Sequence, residues 1–137
     1  MKETIISINE DGFTKPSRFE WSSGEGFDGL NIVTSDQTIQ IGVSNFGQCC
    51  ERWGCFFTTD DNPQDFIGAC VLGISITDTC LSTKKIDDLE GEETSVMFVN
   101  IDTNLGRLQY ACYNSHNGYY GHEAVVISKQ LNHATNL

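Results

Sequence analysis

The sequence predicts a mainly β fold, with α+β as the alternative: a single antiparallel sheet or small barrel of about six or seven strands, with one or two short helical turns. Three observations support this class. Several segments alternate apolar and polar residues with a period of two, as strands buried on one face do. Short turn signals rich in Gly, Asn and Asp separate these segments. Spacing typical of amphipathic helices is scarce.

The first well-marked strands are predicted at 30–34 and 38–45, and Ser35-Asp36 supplies the turn between them. Residues 9–29, rich in Gly, Ser and charge, predict an irregular connection before them. In the second strand the apolar side chains fall on one face, which we expect to be buried. They are Ile39, Ile41 and Val43.

A short helical turn is predicted at 62–67. Asn62 can cap this turn, Pro63 suits the first helical position, and Asp65 lies in the first turn. A second helical turn is predicted within 84–89.

A strand predicted at 70–76 buries alternate side chains, which are Cys70, Leu72, Ile74 and Ile76. Two more strands are predicted at 94–101 and 107–114, joined by a turn at Asn104-Leu105-Gly106. The residues predicted to share a face are Val96 and Phe98 in the first of these strands, and Leu108, Tyr110 and Cys112 in the second.

The stretch CYNSHNGYYGHE at 112–123 contains Asn117-Gly118, a strong short-range signal for a two-residue hairpin turn. A hairpin over 107–128 closed by this turn places Leu108 opposite Ile127, and apolar pairs continue along the ladder. We therefore expect the two arms of this hairpin to be neighbours in one sheet.

The same stretch contains Cys112, His116 and His122, residue types that can bind zinc. In the expected hairpin the two histidines point to opposite faces of the sheet. The adjacent pair Cys49-Cys50 would also point apart in a strand. These spacings lack the paired ligands of structural zinc sites, so we predict no metal and no other cofactor. A Cys/His metal-binding domain stays as an alternative.

Length and charge limit the class of protein. The 137 residues predict a single domain spanning 1–137. A net charge of −11 disfavours binding to duplex nucleic acid and to anionic membranes, because the long-range field repels both. No apolar run approaches the length of a membrane span, and no export signal is apparent. We therefore expect a cytoplasmic protein whose six cysteines are reduced and largely buried.

The sequence does not predict an enzyme. A cysteine–histidine nucleophile needs its thiol, imidazole and orienting group within reach of one another, and no recognisable motif supplies them. A nucleophile elbow, a phosphate-cradling glycine loop and a paired-carboxylate pattern are also missing. No catalytic residue is therefore predicted.

Two segments have the side chains that a small-ligand site requires. GQCCERWGCFF at 47–57 contains an arginine beside a tryptophan, and the expected hairpin adds phenols and imidazoles. Such rings can stack on a nucleobase, and arginine binds phosphate through charge-assisted hydrogen bonds. The predicted ligand-binding residues are Arg52, Trp53, Arg107, Tyr113, Asn114, Ser115, His116, Tyr119, Tyr120 and His122. The competing interpretation is sheet packing, with aromatic residues and cysteines filling the core.

The motifs CCERWG at 49–54, DFIGACVLGI at 65–74 and YNSHNGYYGHEAVV at 113–126 together resemble a small domain family of Gram-positive bacteria and their phages. The resemblance extends over about 27–128. It implies no particular activity. By analogy, the phage connection implies a role in countering bacterial defence.

Our first hypothesis is a non-enzymatic small-ligand-binding domain, a phage-type sponge that sequesters a nucleotide-derived immune signalling molecule in the host cytoplasm. A pocket between protomers, and hence a homo-oligomer, is expected. The alternative is an acidic protein–protein inhibitor that docks on a basic, nucleic-acid-binding host defence protein. The net charge and the acidic segment at 87–93 favour that alternative.

Overall fold

A computed structural model of the chain describes residues 2–15, 25–44, 52–59, 61–77, 93–116 and 123–137. These residues form ten strands and one 3₁₀ turn, Pro63–Phe66. The strands are β1 Ile5–Asn9, β2 Phe13–Lys15, β3 Glu25–Thr34, β4 Thr38–Ser44, β5 Arg52–Phe57, β6 Val71–Thr77, β7 Glu93–Thr103, β8 Gly106–His116, β9 Glu123–Ile127 and β10 Asn132–Asn136. Within the described ranges no helix is long and apolar enough to span a bilayer.

The strands form two antiparallel sheets. The six-stranded sheet has the order β1-β3-β4-β9-β10, with β2 also paired to β3, and the four-stranded sheet has the order β5-β8-β7-β6. The predicted mainly β, antiparallel class is confirmed. The chain forms two sheets where the sequence predicted one sheet or a small barrel, because an apolar sheet face is buried most effectively against a second sheet.

The core lies between the two sheets and contains side chains from both. As predicted, β4 buries Ile39, Ile41 and Val43 completely. The four-stranded sheet contributes the inner-face side chains of β8 and β7 to this core. They are Leu108, Tyr110, Cys112, Met97, Val99 and Ile101. Burial of each large aliphatic side chain contributes about 1.5–3 kcal/mol, so this layer accounts for most of the favourable packing.

Two of the predicted turns are confirmed. Asn62 caps the 3₁₀ turn, its side-chain oxygen accepting a hydrogen bond from the Gln64 N–H at 3.0 Å. Gly106 begins β8 with a φ of 135°, which explains why glycine follows Asn104-Leu105 in the β7–β8 turn. The helical turn predicted within 84–89 lies outside the described residues.

The predicted buried face of β6 is wrong at Leu72, which is 69% exposed, and at Ile76, which is 36% exposed in this edge strand. The β6–β7 register shifts between Val71 and Gly73, so an extra residue enters the strand at this point. A bulge of this kind changes which side chains face inward. Val71 and Ile74 consequently pack against the core.

In β7 the face of Val96 and Phe98 is opposite to the inter-sheet core. The register pairs Met97 with Cys112 and Val99 with Tyr110 on the inner face. Phe98 is nevertheless buried on the outer face, where its partner in β8 is Ala111. The alternation in the sequence correctly placed Val96 and Phe98 on the same face of this strand. It did not show whether that face is the inner or the outer face of the sheet.

The predicted hairpin over 107–128 is also corrected. Its two arms belong to different sheets: β8 lies between β5 and β7, and β9 lies between β4 and β10. Val126 pairs with Ile41 and Ala124 with Val43, instead of with residues of β8. These partners are as apolar as the expected ones, so the pattern in the sequence was compatible with either sheet. Asn117-Gly118 lies outside the described residues.

Candidate functional site

An open cleft lies at one end of the sandwich, where β1, β3 and the edge strand β5 come together. It consists of two neighbouring cavities with volumes of about 570 and 490 Å³. Glu10 and Cys55 line both cavities, so the two are parts of one feature. We call this feature the end cleft. Its main lining side chains are Glu10, Asp28, Trp53, Cys55, Phe57, Asp61 and Tyr110.

The alternation of β5 determines which of its residues contribute to the end cleft. Trp53, Cys55 and Phe57 project to the inner face and pack against the core. Within the described sheet β5 has only β8 as a neighbour, so these three side chains are half-buried. Each therefore has one side in the apolar core and another accessible from the cleft.

A cluster of two thiols and a phenol lies at the centre of the cleft wall. Cys55 pairs directly with Cys112 across the β5–β8 ladder, and Tyr110 occupies the next inner-face position of β8. Hydrogen bonds from Cys112 and Tyr110 lower the pKa of the Cys55 thiol, against the opposing effects of burial and of the Glu10 and Asp28 charges. All three described cysteines of the chain are free thiols.

The other two members of the cluster, Cys112 and Tyr110, keep their protons to higher pH than usual. The hydrogen bond with Cys55 and complete burial raise the pKa of the Cys112 thiol. Burial, followed by the charge of Cys55, raises the pKa of the Tyr110 phenol. Negative charge in the cluster therefore resides on Cys55, which lines both cavities of the cleft.

The described lining of the cleft is acidic. Glu10, Asp28 and Asp61 are exposed carboxylates, and no lysine or arginine is among the described residues that line the two cavities. A potential of this sign attracts cations and repels anions at short range. The described part of the lining therefore favours a neutral or cationic ligand over a phosphate group.

Of the predicted ligand-binding residues, Trp53 is the one that the structure places in the end cleft. Arg107 lies at the other end of β8 on the outer face, where it is exposed and ion-paired with Asp102. The hydrogen bond that Arg107 donates to Asp102, together with the negative charge of Asp102, raises the pKa of the Arg107 guanidinium. At a rise of about 3.4 Å per residue, roughly 23 Å separates Arg107 from the β8 partner of Trp53.

Tyr113 and Asn114 point to opposite faces of β8. The Tyr113 ring lies on the outer face over Gly54 and is tilted against Phe56, with ring centroids 5.8 Å apart. Asn114 is fully buried on the inner face, and its Nδ2 donates to the Leu137 carbonyl at 3.1 Å. Neither residue is among those that line the end cleft.

The remaining predicted residues are outside what the structure describes. For Arg52, Ser115 and His116 only the backbone is described, and Arg52 is opposite Ser115 in the β5–β8 register. Tyr119, Tyr120 and His122 lie wholly outside the described ranges. Where side chains are described, no three histidine, cysteine or acidic groups come together as metal ligands.

The sequence interpretation missed every main lining residue of the cleft except Trp53. Glu10 and Asp28 fall at 9–29, a segment predicted to be an irregular connection. Cys55 and Tyr110 were assigned to packing. A usable signal was present in the Trp53-x-Cys55-x-Phe57 alternation, but only the tertiary fold brings β1 and β3 to this strand.

Neither the search of curated proteins nor that of solved structures found a match to this chain. A family model, described as a domain of unknown function (DUF7448), matches residues 2–126 and so includes nearly every strand of both sheets. The chain therefore belongs to the DUF7448 family.

Proposed function

We propose that this protein is a non-enzymatic small-ligand-binding domain and that the end cleft is its binding site. The observation that carries this proposal is the lining of the cleft: half-buried aromatic surface from Trp53 and Phe57 faces exposed carboxylates of Glu10 and Asp28. Ligand pockets commonly have volumes of about 300–1,000 Å³ and combine apolar walls with a few polar groups. Both cavities fall within that range.

The lining suggests the chemistry of the ligand. Trp53 offers a flat surface for stacking, and the Glu10 and Asp28 carboxylates can accept hydrogen bonds from hydroxyl or amino groups. A nucleoside or another flat, neutral or cationic molecule therefore suits the described part of the cleft. The phosphates of a nucleotide would have to lie away from these carboxylates.

The sponge hypothesis is kept within this proposal. A phage-encoded protein acting in the cytoplasm of a Gram-positive host would sequester a nucleotide-derived signal by binding its base and ribose in the end cleft. Sequestration requires tight binding without turnover. The cleft is formed within one chain, so this mode of binding does not depend on the homo-oligomer, which remains a separate expectation.

The test is native mass spectrometry of protein purified under mild conditions, followed by titration with nucleosides and cyclic nucleotides. A ligand at a hundredfold excess over its Kd stabilises the native state by about 2.7 kcal/mol. We expect binding to be lost in Trp53→Ala and weakened in Asp28→Asn, while Arg107→Gln, on the far outer face, binds as the wild type does. Equal loss in Arg107→Gln, or binding retained in Trp53→Ala, would assign the ligand to another site.

A specific observation favours one alternative function. Glu10, Asp11, Asp28, Asp61 and Asp65 are all exposed carboxylates, and three of them line the end cleft. An acidic protein–protein inhibitor would dock this end on a basic, nucleic-acid-binding partner. Its association would slow steeply with added salt and would be weakened in the double variant Glu10→Gln/Asp61→Asn. Small-molecule binding would then be absent.

A further inference from the structure

The cysteines that face each other across β5 and β8 occupy a particular kind of ladder position. The Thr58 N–H donates to the Gln109 carbonyl at 3.1 Å, which makes Thr58–Gln109 a hydrogen-bonded pair. Hydrogen-bonded and non-hydrogen-bonded pairs alternate along an antiparallel ladder, so Cys55–Cys112 is a non-hydrogen-bonded pair. The Cα atoms of such pairs are about 4.5 Å apart, and their side chains approach closely.

That separation permits a covalent bond between the two sulfurs. Disulfides join Cα atoms about 4.4–6.8 Å apart, so this pair falls at the short end of the range. Closing the bond therefore requires little movement of either strand.

Access differs between the two sulfurs. Cys55 is half-buried and lines both cavities, whereas Cys112 is fully buried behind it. A small reagent entering the end cleft meets Cys55 first. The Cys55 Sγ lies 3.5 Å from the Asp28 carbonyl oxygen, to which the thiol can donate a hydrogen bond.

We propose that Cys55 and Cys112 are a peroxide-reactive dithiol site, in which Cys55 is oxidised first and Cys112 then closes a cross-strand disulfide. This inference does not rest on the proposed ligand. In the first step the Cys55 thiolate attacks one oxygen of hydrogen peroxide and the O–O bond breaks. With one proton taken up, water leaves and Cys55 becomes a sulfenic acid.

In the second step the Cys112 sulfur attacks the Cys55 sulfur. The S–S bond forms, the S–O bond breaks, and the hydroxyl leaves with the Cys112 proton as a second water. Overall, two thiols lose two electrons and one peroxide is reduced to two waters. The Glu10 and Asp28 carboxylates repel anionic oxidants, so the site takes a small neutral peroxide in preference to oxidised glutathione.

The experiment treats the reduced full-length protein with a slight excess of hydrogen peroxide and maps peptides without reduction. We expect a Cys55–Cys112 cross-linked peptide that forms at least about tenfold faster with peroxide than with oxidised glutathione and that disappears on adding dithiothreitol. In Cys112→Ala, whose folding is checked by its melting transition, Cys55 should stop at a sulfenic acid that dimedone traps. Cys55→Ser should give neither product.

Cys70→Ser is the matched control, because Cys70 is also half-buried and lies outside the end cleft. This variant should form the Cys55–Cys112 bond at the wild-type rate. The proposal is overturned if peroxide produces no Cys55–Cys112 peptide in the folded wild type, or if Cys70 is oxidised as fast as Cys55. Faster reaction with oxidised glutathione would overturn the preference for a neutral oxidant.

Discussion

Both faces of the four-stranded sheet bury polar side chains. Those described on the outer face are neutral, whereas the inner face includes ionisable groups. On the outer face, Thr58 Oγ1 donates to Gln109 Oε1 and Gln109 Nε2 donates to Asn100 Oδ1, both at 2.8 Å. These three residues are buried, and none of them titrates. On the inner face, Cys55, Cys112 and Tyr110 carry ionisable groups, and the Cys55 thiol, whose pKa is lowered, lines the end cleft.

This difference separates polar groups that hold the sheet together from polar groups that can react. A neutral chain of hydrogen bonds away from solvent satisfies its members and fixes the strand register. A titratable thiol between apolar packing and an opening can lose its proton and meet a ligand or oxidant. Burial alone does not distinguish the two faces, whereas ionisable chemistry combined with access does.

The largest expected effect concerns the outer face. Gln109→Met removes both side-chain hydrogen bonds and leaves Thr58 and Asn100 buried without this partner, so we expect a loss of about 2–4 kcal/mol in the free energy of unfolding. Urea denaturation measures it. Ser75→Ala is the control, because Ser75 pairs with Asn100 on the same face but is exposed. Equal effects in the two variants would show that the buried chain is not structurally important.

A smaller effect is expected on the inner face, where Tyr110→Phe removes one hydrogen bond to Cys55 and retains the ring. The pKa of Cys55 should rise, and the rate of its alkylation by iodoacetamide at neutral pH should fall several-fold. The midpoint of the pH–rate profile should move upward. A change in rate at every pH without a shifted midpoint would instead indicate altered access, which would make Tyr110 a packing residue only.

The smallest effect is the pH dependence of stability. The folded state lowers the pKa of Cys55 below its ordinary value of 9.0, so Cys55 ionisation stabilises the protein increasingly as pH rises from the folded pKa to 9.0. At higher pH the raised pKa values of Cys112 and Tyr110 act in the opposite direction, because only the unfolded state ionises there.

Denaturation at several pH values tests whether ionisation of Cys55 stabilises the protein. The stability difference between wild type and Cys55→Ser should increase as the pH rises from the folded pKa of Cys55 toward 9.0. Cys70→Ser, measured in parallel, controls for general effects of thiol removal. A difference that decreases over this window would contradict the lowered pKa.

How much of the fold could be predicted depended on the regularity of each strand. The face of β4 was predicted because its alternation is unbroken and both neighbouring strands follow it. At β6 a bulge changed the phase at Leu72, and no residue type marks that insertion. The hairpin prediction failed because Asn117-Gly118 is a local signal, whereas the choice of sheet depends on distant partners.

The candidate site was harder to predict from the sequence, because it too depends on partners that are distant along the chain. Trp53 could be predicted because a tryptophan beside an arginine is conspicuous in so acidic a chain. Glu10 and Asp28 look like ordinary surface carboxylates, and the pairing of Cys55 with Cys112 follows only from the β5–β8 register. Arg107 has the charge that binding of a phosphate requires, and the structure places it on the outer face of β8, away from the end cleft.

The passage of the chain from β8 in one sheet to β9 in the other affects how the protein folds. Strand β4 is synthesised early because it lies in the first third of the chain. One of its edges, however, pairs with β9, which is synthesised much later. Pairing of segments so distant in sequence incurs a large loop-closure entropy and slows folding. Until β9 arrives, β4 presents an open apolar edge, so the nascent or slowly folding protein is most prone to aggregate through β4.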